Sequence, residues 1–219
     1  MRESIQKVTV YGAAYSTYVR TVRLTLEEKS VFYDLIDIDV FAPSGPPSEY
    51  LRMNPFGRIP SFEHDGFRMY EAVPIARYID ETFGGPMLQP RDIRERARMN
   101  QIISVLDSYA YRTFVWDIYV ERSNGLRGKT PDEKRIASAL PRAHACLDAL
   151  GALIGDGKWL AGSVLSLADL HAVPMFDYLL RTTEGEDLLS SSPPMMRWWN
   201  QVAVRPSVRA TSPAPAAQS

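Results

Sequence analysis

The chain has 219 residues, with 25 basic and 26 acidic side chains and a formal net charge of -1. That balance argues against a nucleic-acid partner and against docking on an anionic membrane surface. Cys146 is the only cysteine and the histidines His64, His144 and His171 fall in unrelated segments, so neither an internal disulfide nor a bound metal is expected.

A chain of this size buries roughly 70 % of its unfolded surface, enough for one or two full cores. The first residues, MRESIQKVTV, lack the apolar region of a secretion signal, and no run is long enough to span a bilayer, so a cytoplasmic home is expected. Residues 7–11 (KVTVY) predict a first strand. Ser16 is a good N-cap, and Val19, Val22, Leu24 and Leu26 follow at helical spacing up to Lys29-Ser30. Residues 31–40 alternate loosely, as a second strand. The PSGPP run at 43–47 is a loop, and residues 48–52 allow one helical turn.

The stretch 54–80, NPFGRIPSFEHDGFRMYEAVPIARYID, organises the chain. Asn54-Pro55-Phe56-Gly57 is a turn, residues 59–62 a short apolar strand led in by Pro60, and Asp65-Gly66 a two-residue hairpin signal before a return strand at 67–70. Val73, Ala76, Ile79 and Phe83 then recur at helical spacing. Proline has no N–H to give to a central ladder. A cis Ile59–Pro60 bond would turn the N–H and carbonyl of Ile59 outward, to pair with an extended peptide-like ligand. The helix start at Glu71-Ala72 presents free N–H groups to an anion.

Gly84-Gly85-Pro86 opens a linker to about residue 91, and the rest is predicted helical. One long helix is expected over 93–122, with Met99, Ile102, Ile103, Leu106 and Ala110 on one face. A second is expected from Thr130 as N-cap and Pro131 at the first helical position to about Ile154. Ser166 with Asp169 three residues later forms an aspartate version of the capping box, with Leu165 and Leu170 placed as a hydrophobic staple. The tail 206–219, rich in Ala, Pro and Ser, is expected to be disordered at its end.

Asn54-Pro55-Phe56-Gly57-Arg58-Ile59-Pro60, the hairpin, and Glu71-Ala72-Val73-Pro74-Ile75 together resemble the glutathione-binding half of the glutathione S-transferase family. The capping box and Arg205-Pro206-Ser207-Val208 extend the resemblance over nearly the whole chain. It implies a thioredoxin-like α/β domain at 1–84 with a mixed four-stranded sheet, a linker at 85–91, and an all-α domain at 92–219 that contributes the pocket for the electrophile. It also implies that Ile59, next to Pro60, pairs with the cysteinyl part of glutathione, that Glu71 and Ala72 hold the γ-glutamyl end, and that Arg58 hydrogen-bonds the ligand. Each has a bland alternative: a solvated edge charge for Arg58, a charge near a helix start for Glu71. The family has Ser where Ala72 stands, so the carboxylate loses one donor. Phe56 packs into the second domain or a partner subunit, and Arg77 lies on the helix that lines the family's dimer interface.

Such a transferase must ionise a thiol of pKa about 8.5, of which only about 3 % is thiolate at pH 7. One hydroxyl donor supplies roughly 1.5–3 kcal/mol, and a helix N-terminus roughly 0.3–2 kcal/mol. Ser16-Thr17 with Arg20 resembles the phi and theta classes, whose serine is that donor, and implies a serine-class member of bacterial type. Plain N-capping is the alternative for Ser16, and the two roles compete for one hydroxyl. Tyr11 is the runner-up catalytic residue, with core packing as its alternative. Tyr15, Tyr109, Phe114 and Trp116 are the residues expected in an apolar electrophile pocket, although an aromatic stripe on a helix is more often core. The implied function is conjugation of glutathione to small apolar electrophiles, or a related glutathione-dependent reaction, as in detoxification. Glutathione is the co-substrate, no metal is needed, and a homodimer is implied. A non-catalytic protein holding glutathione or hydrophobic ligands, and an interaction module, are the rival readings.

Overall fold

In this computed structural model, which describes residues 7–126 and 128–213, the chain forms two compact units. The first ends at Pro86 and takes back Arg209–Pro213; the second is Met87–Val208.

The first unit carries a four-stranded mixed sheet in the order β2-β1-β3-β4. β1 (Val8–Tyr11) pairs parallel with β2 (Asp34–Ile36) and antiparallel with β3 (Ser61–His64), which pairs antiparallel with β4 (Phe67–Tyr70). Alternation decides the two faces. Val8, Val10 and Phe62 are buried against Val19, Val22 and Leu26 of α1 (Thr17–Glu28) and Ile75 and Ile79 of α3 (Ala72–Thr82). Each such side chain contributes roughly 1.5–3 kcal/mol on full burial. Tyr11, Ser61 and Glu63 fall in the opposite alternation, and the short α2 (Ser48–Met53) meets Ser61 through Tyr50.

Two strand boundaries move from expectation. β2 covers only three residues of the expected 31–40, and Phe32 ahead of it is 95 % exposed. β3 begins after the cis Ile59–Pro60 bond, not at Ile59. A residue without an N–H leads the strand instead of joining its ladder.

The second unit is helical: α4 (Ile93–Val105), a π-helical stretch π1 (Leu106–Val120), α5 (Glu121–Leu126), α6 (Glu133–Ile154), α7 (Leu167–Leu179), α8 (Thr183–Ser190), α9 (Pro193–Val202) and α10 (Pro206–Ala210). The single long helix expected over 93–122 is therefore wider-turned in its second half. That stretch, LDSYAYRTFVWDIYV, is rich in aromatic and β-branched residues, which are weaker helix formers than Leu, Ala or Glu. The wide turns pair residues five apart, as Arg112 with Asp117 at 3.0 Å. Met99, Ile102, Ile103, Leu106 and Ala110 are buried, as their spacing predicts.

α6 starts two residues later than expected. Asp132 is its N-cap and accepts from the Arg135 N–H at 3.0 Å, which leaves Thr130 and Pro131 outside. A carboxylate two positions on outcompetes the threonine hydroxyl. Pro141 and Pro174 sit inside α6 and α7. The capping box of α7 is present: Asp169 accepts from Ser166 N–H, Ser166 Oγ–H, Leu160 N–H and Trp198 Nε1–H, each at 2.8 Å. The tail is ordered through α10, and Thr211 is fully buried; residues 214–219, expected to be disordered, lie outside the described residues.

Candidate active site

Three backbone turns of the first unit build the site. The first follows β1. Gly12 has φ +152° and donates its N–H to the Ile36 carbonyl at 2.9 Å. A Cβ there would stand 2.5 Å from Val19 Cγ2 and 3.1 Å from Ile59 Cβ. Glycine therefore lets the loop before α1 lie against the Ile59–Pro60 turn. The loop ends at Ser16, the N-cap of α1, whose Oγ accepts from Val19 N–H at 3.4 Å and whose carbonyl accepts from Arg20 N–H at 2.9 Å. Among the described residues no acceptor takes the Ser16 hydroxyl proton. Capping and donation were expected to compete for this hydroxyl. The geometry divides them: the oxygen caps the helix, and among the described residues the hydroxyl donates to no protein acceptor.

The second turn is Asn54–Pro60. Asn54 Nδ2 and Tyr50 OH both donate to the Arg58 carbonyl, at 2.8 and 2.6 Å, and Ser61 Oγ donates to Tyr50 OH at 3.0 Å. Asn54 Oδ1 also accepts from Phe56 N–H at 3.1 Å. This fully connected set holds the backbone that leads into Ile59. Among the described residues neither the N–H nor the carbonyl of Ile59 has a protein partner. The Arg58 side chain is exposed, Ile59 half-buried and Pro60 buried.

The third turn is Glu71, at φ 74° and ψ 120°. A non-glycine residue at positive φ costs on the order of 1–3 kcal/mol, and such residues cluster at ligand clamps. Glu71 is exposed and its side chain makes no cap hydrogen bond to its own helix start. Ala72 is buried in the core cluster, and Pro74 brings no N–H to the first turn of α3. This helix start is therefore poor in side-chain donors, as the alanine implies.

The aromatic candidates separate by burial. Tyr11 stands at the end of β1, where burial pushes its phenol pKa up; the Glu63 charge and a hydrogen bond to that carboxylate add to the rise, and Arg68 opposes it. Tyr15 is 45 % exposed and stacks on Phe41, ring centroids 6.4 Å apart and planes 23° apart. In the helical unit Tyr109 is 63 % exposed and Trp116 half-buried. Phe114 is fully buried and packs edge-on against Phe176 at 5.4 Å, which places it in the core of that unit. Phe56 is exposed and meets Tyr70 edge-on at 5.9 Å. Arg77 lies half-buried on α3.

Gly12, Tyr50 and Phe41 were not singled out in the sequence. Gly12 had a signal, a glycine directly after a strand. Tyr50 and Phe41 act through contacts across the fold and had none.

Two family models match the chain: "Glutathione S-transferase, N-terminal domain" over residues 10–87 and "Glutathione S-transferase, C-terminal domain" over residues 108–206. The probable glutathione S-transferase GSTF1 of Oryza sativa subsp. japonica is 29 % identical over 207 residues, 92 % of this chain and 94 % of that one. Glutathione S-transferase F13 of Arabidopsis thaliana is 28 % identical over 208 residues, 93 % of this chain and 94 % of that one. Among solved structures, glutathione transferase F7 from Populus trichocarpa superposes with a TM-score of 0.81 at 29 % identity, covering 93 % of this chain and 97 % of that one. Glutathione S-transferase I from mais, solved with an atrazine glutathione conjugate, gives a TM-score of 0.81 at 26 % identity, covering 94 % of this chain and 96 % of that one.

Proposed function

The chain belongs to the glutathione S-transferase family, and from that premise we propose that it activates glutathione with Ser16 and transfers the thiolate to small apolar electrophiles. One observation carries the assignment of Ser16: its oxygen caps α1 while its proton has no acceptor among the described residues. A thiolate set at that proton gains a hydrogen bond and the positive end of α1 together. No proton leaves the serine; it donates to the anion, and the glutathione proton goes to solvent as the thiol ionises.

The rest of glutathione is assigned to the other two turns. Ile59, held next to Pro60 by the Asn54–Tyr50 network, pairs its N–H and carbonyl with the cysteinyl backbone, as an added strand would. Glu71, exposed at positive φ, takes the γ-glutamyl ammonium, while the N–H groups at Ala72 face its carboxylate. Arg58, whose side chain is exposed, is assigned a charged hydrogen bond to the ligand. The electrophile is apolar because the group beside Ser16 is an exposed aromatic pair, Tyr15 on Phe41. Phe114, buried in the core of its own unit, is not carried forward.

A homodimer completes the reading, supported by the exposed Phe56–Tyr70 pair, an apolar face of the kind that subunits cover. We place the reaction in the cytoplasm, where glutathione is kept reduced. No helix among the described residues is long and apolar enough to cross a membrane, and no group of three or more His, Cys, Asp and Glu among them could hold a metal.

The test is the ultraviolet thiolate absorbance of bound glutathione against pH, in Ser16→Ala and Tyr11→Phe. Ser16→Ala is expected to raise the thiol pKa by about 1–2 units, the worth of one charged hydrogen bond, and Tyr11→Phe to leave it in place. A rise confined to Tyr11→Phe would transfer the catalytic role to the tyrosine.

A further inference from the structure

Arg20 is among the largest side chains withdrawn from solvent, at 1 % exposed. A guanidinium keeps its charge in a protein, so burying it requires hydrogen-bond partners. One partner comes from the far end of the chain: Arg20 Nε donates to Thr211 Oγ1 at 3.4 Å, across 191 residues of sequence. Thr211 is itself fully buried, and its segment, Arg209–Pro213, belongs to the first unit although the chain between lies in the second.

Arg20 is also tied to the site. Its backbone N–H closes the first turn of α1 on the Ser16 carbonyl at 2.9 Å. Residues four apart share a helix face, with Cβ atoms roughly 5–6 Å apart, and helical side chains lean toward the N-terminus. Arg20 therefore leaves α1 from the turn that its own backbone N–H closes on Ser16, the N-cap.

We propose that the C-terminal segment is a strap on the thiol-activating helix, with Thr211 a positioning residue that holds the Arg20 guanidinium beneath Ser16 and so adds its positive field to the thiolate. The inference rests on Ser16 being the thiol's donor. Remove the Thr211 acceptor and a buried charged donor loses a partner. The guanidinium then turns toward other acceptors or solvent, and both its field and the first turn of α1 shift. The other charged groups at this end are Arg23 with Tyr33 and Glu27, Glu63 and Arg68 around Tyr11, and Asp37 and Asp39 around Tyr15. They are common to wild type and variant, so a comparison isolates the strap.

The experiment uses the full chain with glutathione and an aromatic halide as electrophile. Thr211→Val removes the acceptor at nearly equal shape, and Thr211→Ser restores it. In Thr211→Val the pKa of the bound glutathione thiol is expected to rise by about half a unit, so that at a pH well below that pKa the thiolate fraction falls about threefold. kcat should fall in step, KM for glutathione should stay within about twofold, and Thr211→Ser should return all three. Wild-type ionisation and kcat in Thr211→Val would overturn the strap. If the valine variant fails to fold, Arg20→Met breaks the contact from the other side; a folded Arg20→Met with wild-type ionisation overturns it equally. Ser16→Ala is run beside them. No shift there removes the activation reading and the strap with it, whereas a shift in Ser16→Ala without one in Thr211→Val removes the strap alone.

Discussion

Replacing Ala72 by serine should tighten glutathione binding, and the structure sets how much. Ala72 is the first residue of α3, with Glu71 as a cap that gives no side-chain bond and Pro74 two positions on without an N–H. A serine hydroxyl there would add one hydrogen bond to a carboxylate, worth roughly 1.5–3 kcal/mol. The site is not open, however: Ala72 is 5 % exposed and its Cβ belongs to the core formed with Val10, Ile75 and Ile79. Fitting and partly desolvating a hydroxyl beside that core offsets roughly 1 kcal/mol. The net gain is then roughly 0.5–2 kcal/mol, a twofold to thirtyfold lower Kd. Isothermal titration with glutathione measures it, and thiolate absorbance in the same samples should show an unchanged thiol pKa, because the new hydroxyl meets the carboxylate and not the sulfur. Glu71→Ala, in the same titration, should greatly weaken binding. An unchanged or higher Kd in a folded Ala72→Ser protein would refute the placement of the γ-glutamyl carboxylate at this helix start.

Two further predictions concern the helical unit. Asp169→Ala strands four buried donors, on Leu160, Ser166 (two) and Trp198, and should cost roughly 3 kcal/mol, lowering Tm by about 6–12 °C in a calorimetric scan; a loss under about 2 °C would mean the box does not anchor α7. Burial pushes Asp117 up, but the hydrogen bond from Arg135, the charges of Arg112 and Arg135 and the bond from Arg142 bring its pKa below the ordinary carboxylate value. A depressed folded pKa means that the unfolded chain binds the proton first as pH falls, so this stabilisation is present above about pH 4 and lost as pH drops through the folded value. Asp117→Asn should therefore lower Tm at neutral pH and converge with wild type as pH falls through the folded value, and parallel Tm curves throughout would contradict the assignment.

What was legible in the sequence was what is decided locally. The hairpin at Asp65-Gly66, the helix start at Glu71-Ala72 and the Ser166–Asp169 box each depend on side chains within a few residues of one another, and they stand in the structure where their spacing put them. The errors came where two local signals competed or where a partner was distant. Thr130-Pro131 was a sound helix start until Asp132, two residues beyond Thr130, offered a better cap. β2 shrank because an edge strand lasts only as long as its pairing with β1, and the wide turns of π1 have no spacing signature of their own. The Arg20–Thr211 contact joins residues 191 apart and is invisible to any window.

Ser16 shows a subtler limit. In the sequence its hydroxyl is one group with two candidate duties, and the duties look exclusive. In the structure the cap draws on a lone pair, through Val19 N–H at 3.4 Å, which leaves the proton for the proposed donation to a thiolate. Capping also fixes where that proton can point, because the oxygen is tied to the first turn of the helix whose positive end the thiolate would meet. The cap is thus a condition of the chemistry and not its rival. Under the role proposed for Ser16, residues which hold the first turn of α1, Gly12 through its close approach to Val19 and Arg20 through its bond to the Ser16 carbonyl, would bear on thiol ionisation without touching the sulfur.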